Sequence, residues 1–428
     1  MNVTVVGLGK IGLPLAVQFA RKGAVVAGYD IDRALVEAIN ARHNPLPSEP
    51  GLTETLPGLI VSGHLRATTD PRDAAARADV IVLIVPVDID AALEPDFALL
   101  DAAVDAIGPH LRRGALVLVE TTVPAGTTRY RVGARLRDAS GLVPGEGFAL
   151  AFSPERVSSG RVLSDLADYP KIVGGIDELS TARAAAFYRE MLDVEVMTVR
   201  DAETAEFSKL VETTYRDVNI ALANEFARAA DALGIDALQA IEAANSQPYS
   251  HVHAPGPGVG GHCIPVYPYF LLHPQAPGAP VAAELAPAAR RINDDMAHYA
   301  VARLEAAAGA LEGATVVVLG LAYRAGVKES RHSSAFGLVS ALAGAGATAY
   351  VHDPLYTDGE IRAHGLEPPP SFPLPCDALI VQAWHAAYAD LDFGAFPGLR
   401  AVLDARAALD PDDVRRSGAA YVGIGRPG

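Results

Sequence analysis

Cysteine is scarce: Cys263 and Cys376 are the only two in 428 residues. Two thiols cannot build a disulfide framework, so the expected location is a reducing compartment, the cytoplasm. Long apolar runs are missing too. The strongest, residues 80–85 and 315–319, fall far short of the roughly 20 residues a membrane-spanning helix needs. No basic stretch precedes the first apolar run, and residues 3–6 read directly as a strand, so no secretory leader is expected. Positive charge is in deficit, with 35 Lys and Arg against 51 Asp and Glu and a formal net charge of −16. That balance argues against a nonspecific nucleic-acid binder and a basic membrane-surface protein, but leaves room for a small anion held by a few arginines. The histidines do not pair with cysteines or carboxylates at zinc spacing, so no metal is expected.

What the chain does have is apolar mass. Half its residues are hydrophobic, which excludes a disordered polymer and supplies large cores. The length suits two or three domains. Short β-branched runs at 3–6, 25–29, 80–85 and 115–120 alternate with helical stretches at 11–22 and from about residue 33. This alternation predicts a parallel sheet covered on both faces. A Pro- and Gly-rich stretch, 44–58, interrupts it and is too polar to be core. Residues 201–234 carry apolar positions at helical spacing with no strong breaker before Gly234. So long a helix is expected to bridge domains or pack against another subunit. Strand–helix alternation resumes at 315–319, 348–352, 378–382 and 401–404, with 367–375 as an external loop. The expectation is two α/β domains around a helical middle.

Gly7-Leu8-Gly9-Lys10-Ile11-Gly12 follows a strand and opens a helix, and Asp30 ends the next strand. Gly7 permits the tight turn, Gly9 lets backbone approach a pyrophosphate, and Gly12 allows close helix–strand packing. The helix N-terminus offers free N–H groups to phosphates. Asp30 suits ribose hydroxyls and repels a 2′-phosphate, favouring NAD over NADP, a preference that nearby Arg33 weakens slightly; FAD is the lesser alternative. Residues 256–266, Gly-Pro-Gly-Val-Gly-Gly-His-Cys-Ile-Pro-Val, crowd glycines around Cys263. A thiol held exposed beside a bound nicotinamide suggests attack on an aldehyde and oxidation through a thioester. His262 is expected to hold this loop by hydrogen bonding. Cys376, before a strand, is expected to be a small buried hydrophobe.

With these motifs in order, the chain resembles the UDP-glucose/GDP-mannose dehydrogenase family. The resemblance rests on 7–12 with Asp30, Glu120-Thr-Thr-Val-Pro-Ala-Gly-Thr-Thr, Ser153-Pro-Glu-Arg, Lys209, Tyr215-Arg-Asp-Val-Asn, the cysteine loop and Leu319-Gly-Leu-Ala-Tyr-Arg. Arg216-Asp-Val-Asn-Ile and Gly258-Val-Gly-Gly-His-Cys look most like its UDP-N-acetyl-mannosamine branch. The resemblance implies two Rossmann-like doubly wound domains joined by a long central helix. Residues 1–200 would bind NAD, 201–300 would form a helical dimerisation domain carrying the cysteine loop, and 301–428 would bind the nucleotide sugar. It also implies a homodimer and two NAD-dependent oxidations of a sugar C6 alcohol to the carboxylate.

Residue by residue, the resemblance makes Cys263 the nucleophile, Lys209 the stabiliser of oxyanion charge and Glu155 an acid–base. Lys209 gains weight because the chain has only five lysines against thirty arginines. The cofactor set is Gly7, Gly9, Lys10, Ile11, Gly12, Asp30, Arg33, Val85, Pro86, Glu120 and Thr122. The sugar nucleotide is assigned to Arg156, Gly260, Tyr267, Arg290, Arg324 and Arg331, with Arg324 replacing a common lysine. The family usually has an aspartate where this chain has Tyr267, and an asparagine where it has Thr213, one turn beyond Lys209. The acid–base set beside the cysteine is therefore altered. An altered reaction on the same scaffold, a two-electron oxidation or an NAD-assisted epimerisation, is the alternative. A binding protein without catalysis is the reading from another class, and the presence of both Cys263 and Lys209 argues against it.

Overall fold

Why the chain makes two sheets follows from where its β-branched runs fall. A computed structural model describes residues 1–47, 49–157, 160–278 and 281–427. Two units divide the chain, one of residues 1–212 and 269–282, the other of 213–268 and 283–428. The central stretch is thus shared out between the two.

In the first unit eight strands lie in the order Val196–Thr198, Lys171–Gly175, Ala149–Phe152, Leu116–Val119, Val80–Leu83, Asn2–Val6, Val25–Tyr29, Leu65–Thr68. All neighbours pair in parallel except Ala149–Phe152 with Lys171–Gly175, where the direction reverses. The central strands are apolar on both faces because helices cover both. Val3, Val5, Val80, Val82, Leu116 and Leu118 enter one core with Leu13, Val17 and Phe19 of the helix Gly12–Arg21. From Asn2–Val6 the chain winds outward to Leu65–Thr68, then returns to Val80–Leu83 on the other side. That switch leaves a crevice at the carboxyl ends of the two strands, where open α/β sheets bind ligands.

One expectation needs correction here. The stretch 44–58 is not simply a polar loop, because helix Leu52–Val61 begins inside it and buries Leu52 and Leu56 completely. Two leucines four residues apart share a helix face, and burying each is worth roughly 1.5–3 kcal/mol.

The helix Ala202–Leu233 runs 32 residues without Gly or Pro and stops at Gly234, whose φ of +68° suits glycine. Its second half belongs to the second unit. There it lies along helix Leu285–Ala308, tied by Asn224 to Asn293 (2.9 Å), Arg228 to Asp295 (2.8 Å) and Tyr299 to Asp231 (2.6 Å). Five parallel strands complete the unit in the order Thr348–His352, Thr315–Leu319, Ala378–Val381, Ala401–Asp404, Ala420–Gly423. Their side chains alternate between two cores, Val316 and Val318 into one and Val317 and Leu319 into the other. Among the described residues no helix is long and apolar enough to cross a membrane.

Candidate active site

The glycine turn of the first unit is built as its residue types require. Gly7 has φ +95° and donates its N–H to Tyr29 O at 2.8 Å. A Cβ on Gly12 would overlap the carbonyl oxygen of Gly7, whereas one on Gly9 would meet no atom within 4 Å. Gly9 and Lys10 are exposed, so bare backbone faces the crevice at the head of the helix. Asp30 accepts from Leu8 N (2.7 Å) and Asp32 N (2.9 Å), which ties the turn to the end of the second strand. The Val85 side chain flanks Gly7, and Pro86 beside it is exposed. Arg33 is exposed at the start of helix Arg33–Asn40. An open glycine, a free helix end and an acidic residue at the second strand fit a dinucleotide.

Next along the carboxyl edge stand Glu120, after Leu116–Val119, and Glu155, after Ala149–Phe152. Glu120 is fully buried; it accepts from Tyr188 OH, and its Oε1 lies 3.3 Å from Lys171 Nζ. Lys171 Nζ also lies 3.5 Å from Glu155 Oε2. The other Glu155 oxygen accepts from Arg156 N (2.6 Å) and Val157 N (3.0 Å). Lys171 reaches both carboxylates because its strand runs antiparallel and so starts at the edge where the others end. Burial pushes the Glu120 carboxyl up to about 7 against the pull of Lys171, while Glu155 pushes the same way as burial. Burial also works against the Lys171 ammonium, but the two carboxylates outweigh it and raise its pKa. Tyr188 is held well above its ordinary value by burial and by Glu120. Thr122 is buried nearby in sequence on the same loop.

The amino-terminal part of the long helix contributes three charged groups. Lys209 is buried, with Glu212 Oε1 at 3.7 Å, and Glu212 Oε2 accepts from Arg156 Nε at 3.2 Å. Arg156, assigned to substrate, thus shares a carboxylate with Lys209. Thr213, one turn on, is buried as well. Glu206, which sequence reasoning missed, accepts from Gly126 N (2.5 Å) and Thr128 N (2.7 Å) and so clamps the loop 120–128.

In the second unit the cysteine loop is pinned along its length. Asp217, fully buried, accepts from Arg290 Nη1 (2.7 Å) and Asn293 Nδ2 (2.8 Å). Asn293 accepts from Asn224, and Asn224 accepts from Gly256 N at 2.9 Å, where the loop begins. Arg290 also pairs with Asp294, so its guanidinium is engaged with two carboxylates. Further on, Gly261 N donates to Arg331 O (2.9 Å), and a Cβ on Gly260 would come within 2.6 Å of Tyr323 Cβ. Glycine is required there by packing. Cys263 forms no disulfide and is half-buried, and its carbonyl accepts from Tyr267 N at 2.9 Å. Tyr267 is buried, with its ring 6.5 Å from His262 in an edge arrangement. Arg324 and Arg331 are exposed. Cys376 is free and buried in the core, and burial raises its thiol to about 12, as a filler residue should be.

The second sheet repeats the first turn. Gly320 has φ +106° and donates to His352 O at 2.8 Å, and Asp353 accepts from Leu321 N at 2.8 Å, as Asp30 does from Leu8 N. Here the turn is filled: a Cβ on Gly320 would come within 2.6 Å of Ala383, and His385 Nε2 lies 3.1 Å from Asp353. Arg406 follows the strand Ala401–Asp404 and donates to Gln382 O (2.7 Å) and Tyr323 O (3.5 Å). Among the described residues its hydrogen-bond partners are carbonyls, and burial pulls its pKa down to about 10. Two signals for these missed residues were present in the sequence. Lys171 is one of five lysines and stands at the head of an apolar run, and Arg406 stands at a strand end of the second domain.

One open dinucleotide turn, and a second of the same construction closed by its own side chains, are the layout of a two-domain NAD-dependent dehydrogenase. Residues 1–192 match the NAD binding domain of the UDP-glucose/GDP-mannose dehydrogenase family, 203–295 its central domain and 317–411 its UDP binding domain. The chain belongs to that family. It is 37% identical over 359 residues to a UDP-N-acetyl-D-mannosamine dehydrogenase of Pyrococcus horikoshii, covering 83% of this chain and 84% of the relative. An NDP-N-acetyl-D-galactosaminuronic acid dehydrogenase of Ralstonia nicotianae is 36% identical over 347 residues, 80% of each. The solved UDP-D-ManNAc dehydrogenase of Pyrococcus horikoshii superposes with a TM-score of 0.90 at 33% identity and full coverage of both chains. The expected family, fold, enzyme class and cofactor therefore all stand.

Proposed function

We propose that the chain oxidises the C6 alcohol of a UDP-linked N-acetylhexosamine to the carboxylate in two steps through Cys263. The observation that carries this is a half-buried thiol, in no disulfide, on a loop pinned at Gly256 and Gly261. The named relatives act on N-acetylated amino sugars, which supports that substrate class. Bound NAD supplies a hydride acceptor for each oxidation.

The remaining work falls to the chain. Lys209, buried and paired with Glu212, stabilises the alkoxide and its oxyanion successors; a charge in a dry site is worth more than one in water. The Cys263 thiolate adds to the aldehyde carbon, forming a thiohemiacetal whose oxygen takes up a proton. Loss of that proton and a hydride leaves the thioester. Glu155 takes a proton from water, the resulting hydroxide adds to the thioester carbon, and the thiolate departs from a carboxylic acid that then gives its proton to solvent. Arg406, Arg324 and Arg331 hold the diphosphate. Arg290 acts one step back, by holding Asp217 and through Asn293 and Asn224 the start of the loop. A reducing cytoplasm suits a nucleophilic thiol kept out of any disulfide. The long helix carries an exposed apolar stripe, and we assign it to a homodimer.

A screen of UDP- and GDP-sugars with NADH counted per product tests the reading. Two NADH per uronate and loss of turnover in Cys263→Ala are expected. One NADH or none per substrate consumed would falsify it and favour the two-electron oxidation or the epimerisation.

A further inference from the structure

Four titratable side chains from four segments converge behind the carboxyl edge of the first sheet, and the mechanism uses only one of them. Glu120 is faced by Lys171 from strand Lys171–Gly175, by Tyr188 from helix Glu178–Met191 and by Glu155 from the loop after Ala149–Phe152. Lys171 stands between the two carboxylates, 3.3 Å from Glu120 and 3.5 Å from Glu155. Glu155 cannot swing freely, because its Oε1 is held by the N–H groups of Arg156 and Val157, which leaves Oε2 turned to the ammonium. Glu120 is fully buried, and the Tyr188 hydroxyl donates to Oε1, the same oxygen that faces Lys171. A purely structural ion pair needs one carboxylate per ammonium. Two carboxylates on one buried ammonium carry excess negative charge, which one additional proton relieves.

We propose that Glu120 and Lys171 form a proton store for Glu155. The inference rests on the reading of Glu155 as the base that activates water. After Glu155 has taken the proton of the attacking water, Lys171 passes one ammonium proton to the Glu120 carboxylate. It then regains a proton from the Glu155 carboxylic acid. The end state is neutral Glu120, ammonium Lys171 and carboxylate Glu155, with no change in total protons. Glu120 and Lys171 touch no substrate and are positioning residues. Burial raising Glu120 to about 7 is consistent with a group that exchanges its proton near neutral pH.

Two measurements on the full-length protein test this. Infrared difference spectra of the wild type, titrated across neutral pH, should show a buried carboxylic-acid C=O stretch that Glu120→Gln removes. Steady-state profiles should show kcat falling about tenfold in Glu120→Gln with loss of the near-neutral inflection and KM little changed. That is below the roughly 10²–10⁴ of a directly acting acid–base. Lys171→Arg keeps the charge between the carboxylates but has no proton to give, so kcat should fall about as far as in Glu120→Gln while the infrared band of Glu120 remains. A wild-type enzyme that yields two NADH but shows no titrating acid band overturns the store, as does an unchanged pH profile in Glu120→Gln. A wild type that never yields two NADH instead sinks the role given to Glu155, while the infrared band still reports on the cluster.

Discussion

Single atoms separate the glycines of the dinucleotide turn. A Cβ at position 12 would overlap Gly7 O, so Gly12→Ala must move the helix against the strand and is expected to cost ~1–3 kcal/mol. At position 9 the same Cβ meets nothing within 4 Å in the protein. Gly9→Ala should therefore melt with the wild type yet bind NAD at least tenfold more weakly, because its methyl occupies the space the pyrophosphate needs. Calorimetric titration beside a thermal melt checks both; wild-type NAD affinity in Gly9→Ala would show that the phosphates pass elsewhere. This fingerprint was legible in the sequence because all its determinants lie within a few residues of one another. Lys171 was not. Its partners stand 51 and 16 positions away in sequence, and only the reversed direction of the strand Lys171–Gly175 brings them together.

Among the elements, the long helix does more than connect. Glu206 on its second turn holds Gly126 and Thr128, and burial raises its carboxyl from the ordinary 4.5 to about 8 against the pull of those N–H groups. A carboxyl raised on folding adds stability that is fully present below its unfolded value and lost as pH rises through the folded one. The wild type should thus lose melting temperature between about pH 4.5 and pH 8, and Glu206→Gln should lose less over the same span. At the lower pH the glutamine variant should be weaker by about 1–3 kcal/mol, since one carbonyl cannot serve both N–H donors as the carboxyl group does. Parallel melting curves across the range would mean that Glu206 is ionised throughout. The helix itself was plain from its lack of Gly and Pro. Its clamp was hidden because Glu206 looks like any helix-surface acid until the loop 120–128 closes over it. The helix Leu52–Val61 was hidden for a similar reason, its short apolar face being masked by Pro50 and Gly51 before it and Pro57 and Gly58 within it.

At the scale of the whole molecule, six of the exposed large apolar side chains line up along the one long helix. Phe207, Val211, Tyr215, Leu222, Phe226 and Leu233 follow one another at intervals of four and seven residues, the spacing of a single helix face. Each is 41–72% exposed. A run of large apolar side chains of this length along one helix is the kind of patch that soluble chains cover with a partner. The chain carries −16 net charge, which would keep random copies apart, so close approach of two copies requires a specific apolar seam. A helix face paired with itself across a twofold axis satisfies this, since each copy offers the surface the other needs. The expectation is a homodimer in light scattering at micromolar concentration. Replacing Leu222 and Phe226 together by glutamate should give a monomer, because four buried carboxylates would then face one another at the seam. The variant should still bind NAD, whose turn lies wholly within the first unit. A dimer that survives both substitutions would place the subunit contact on another face and leave the stripe without that role.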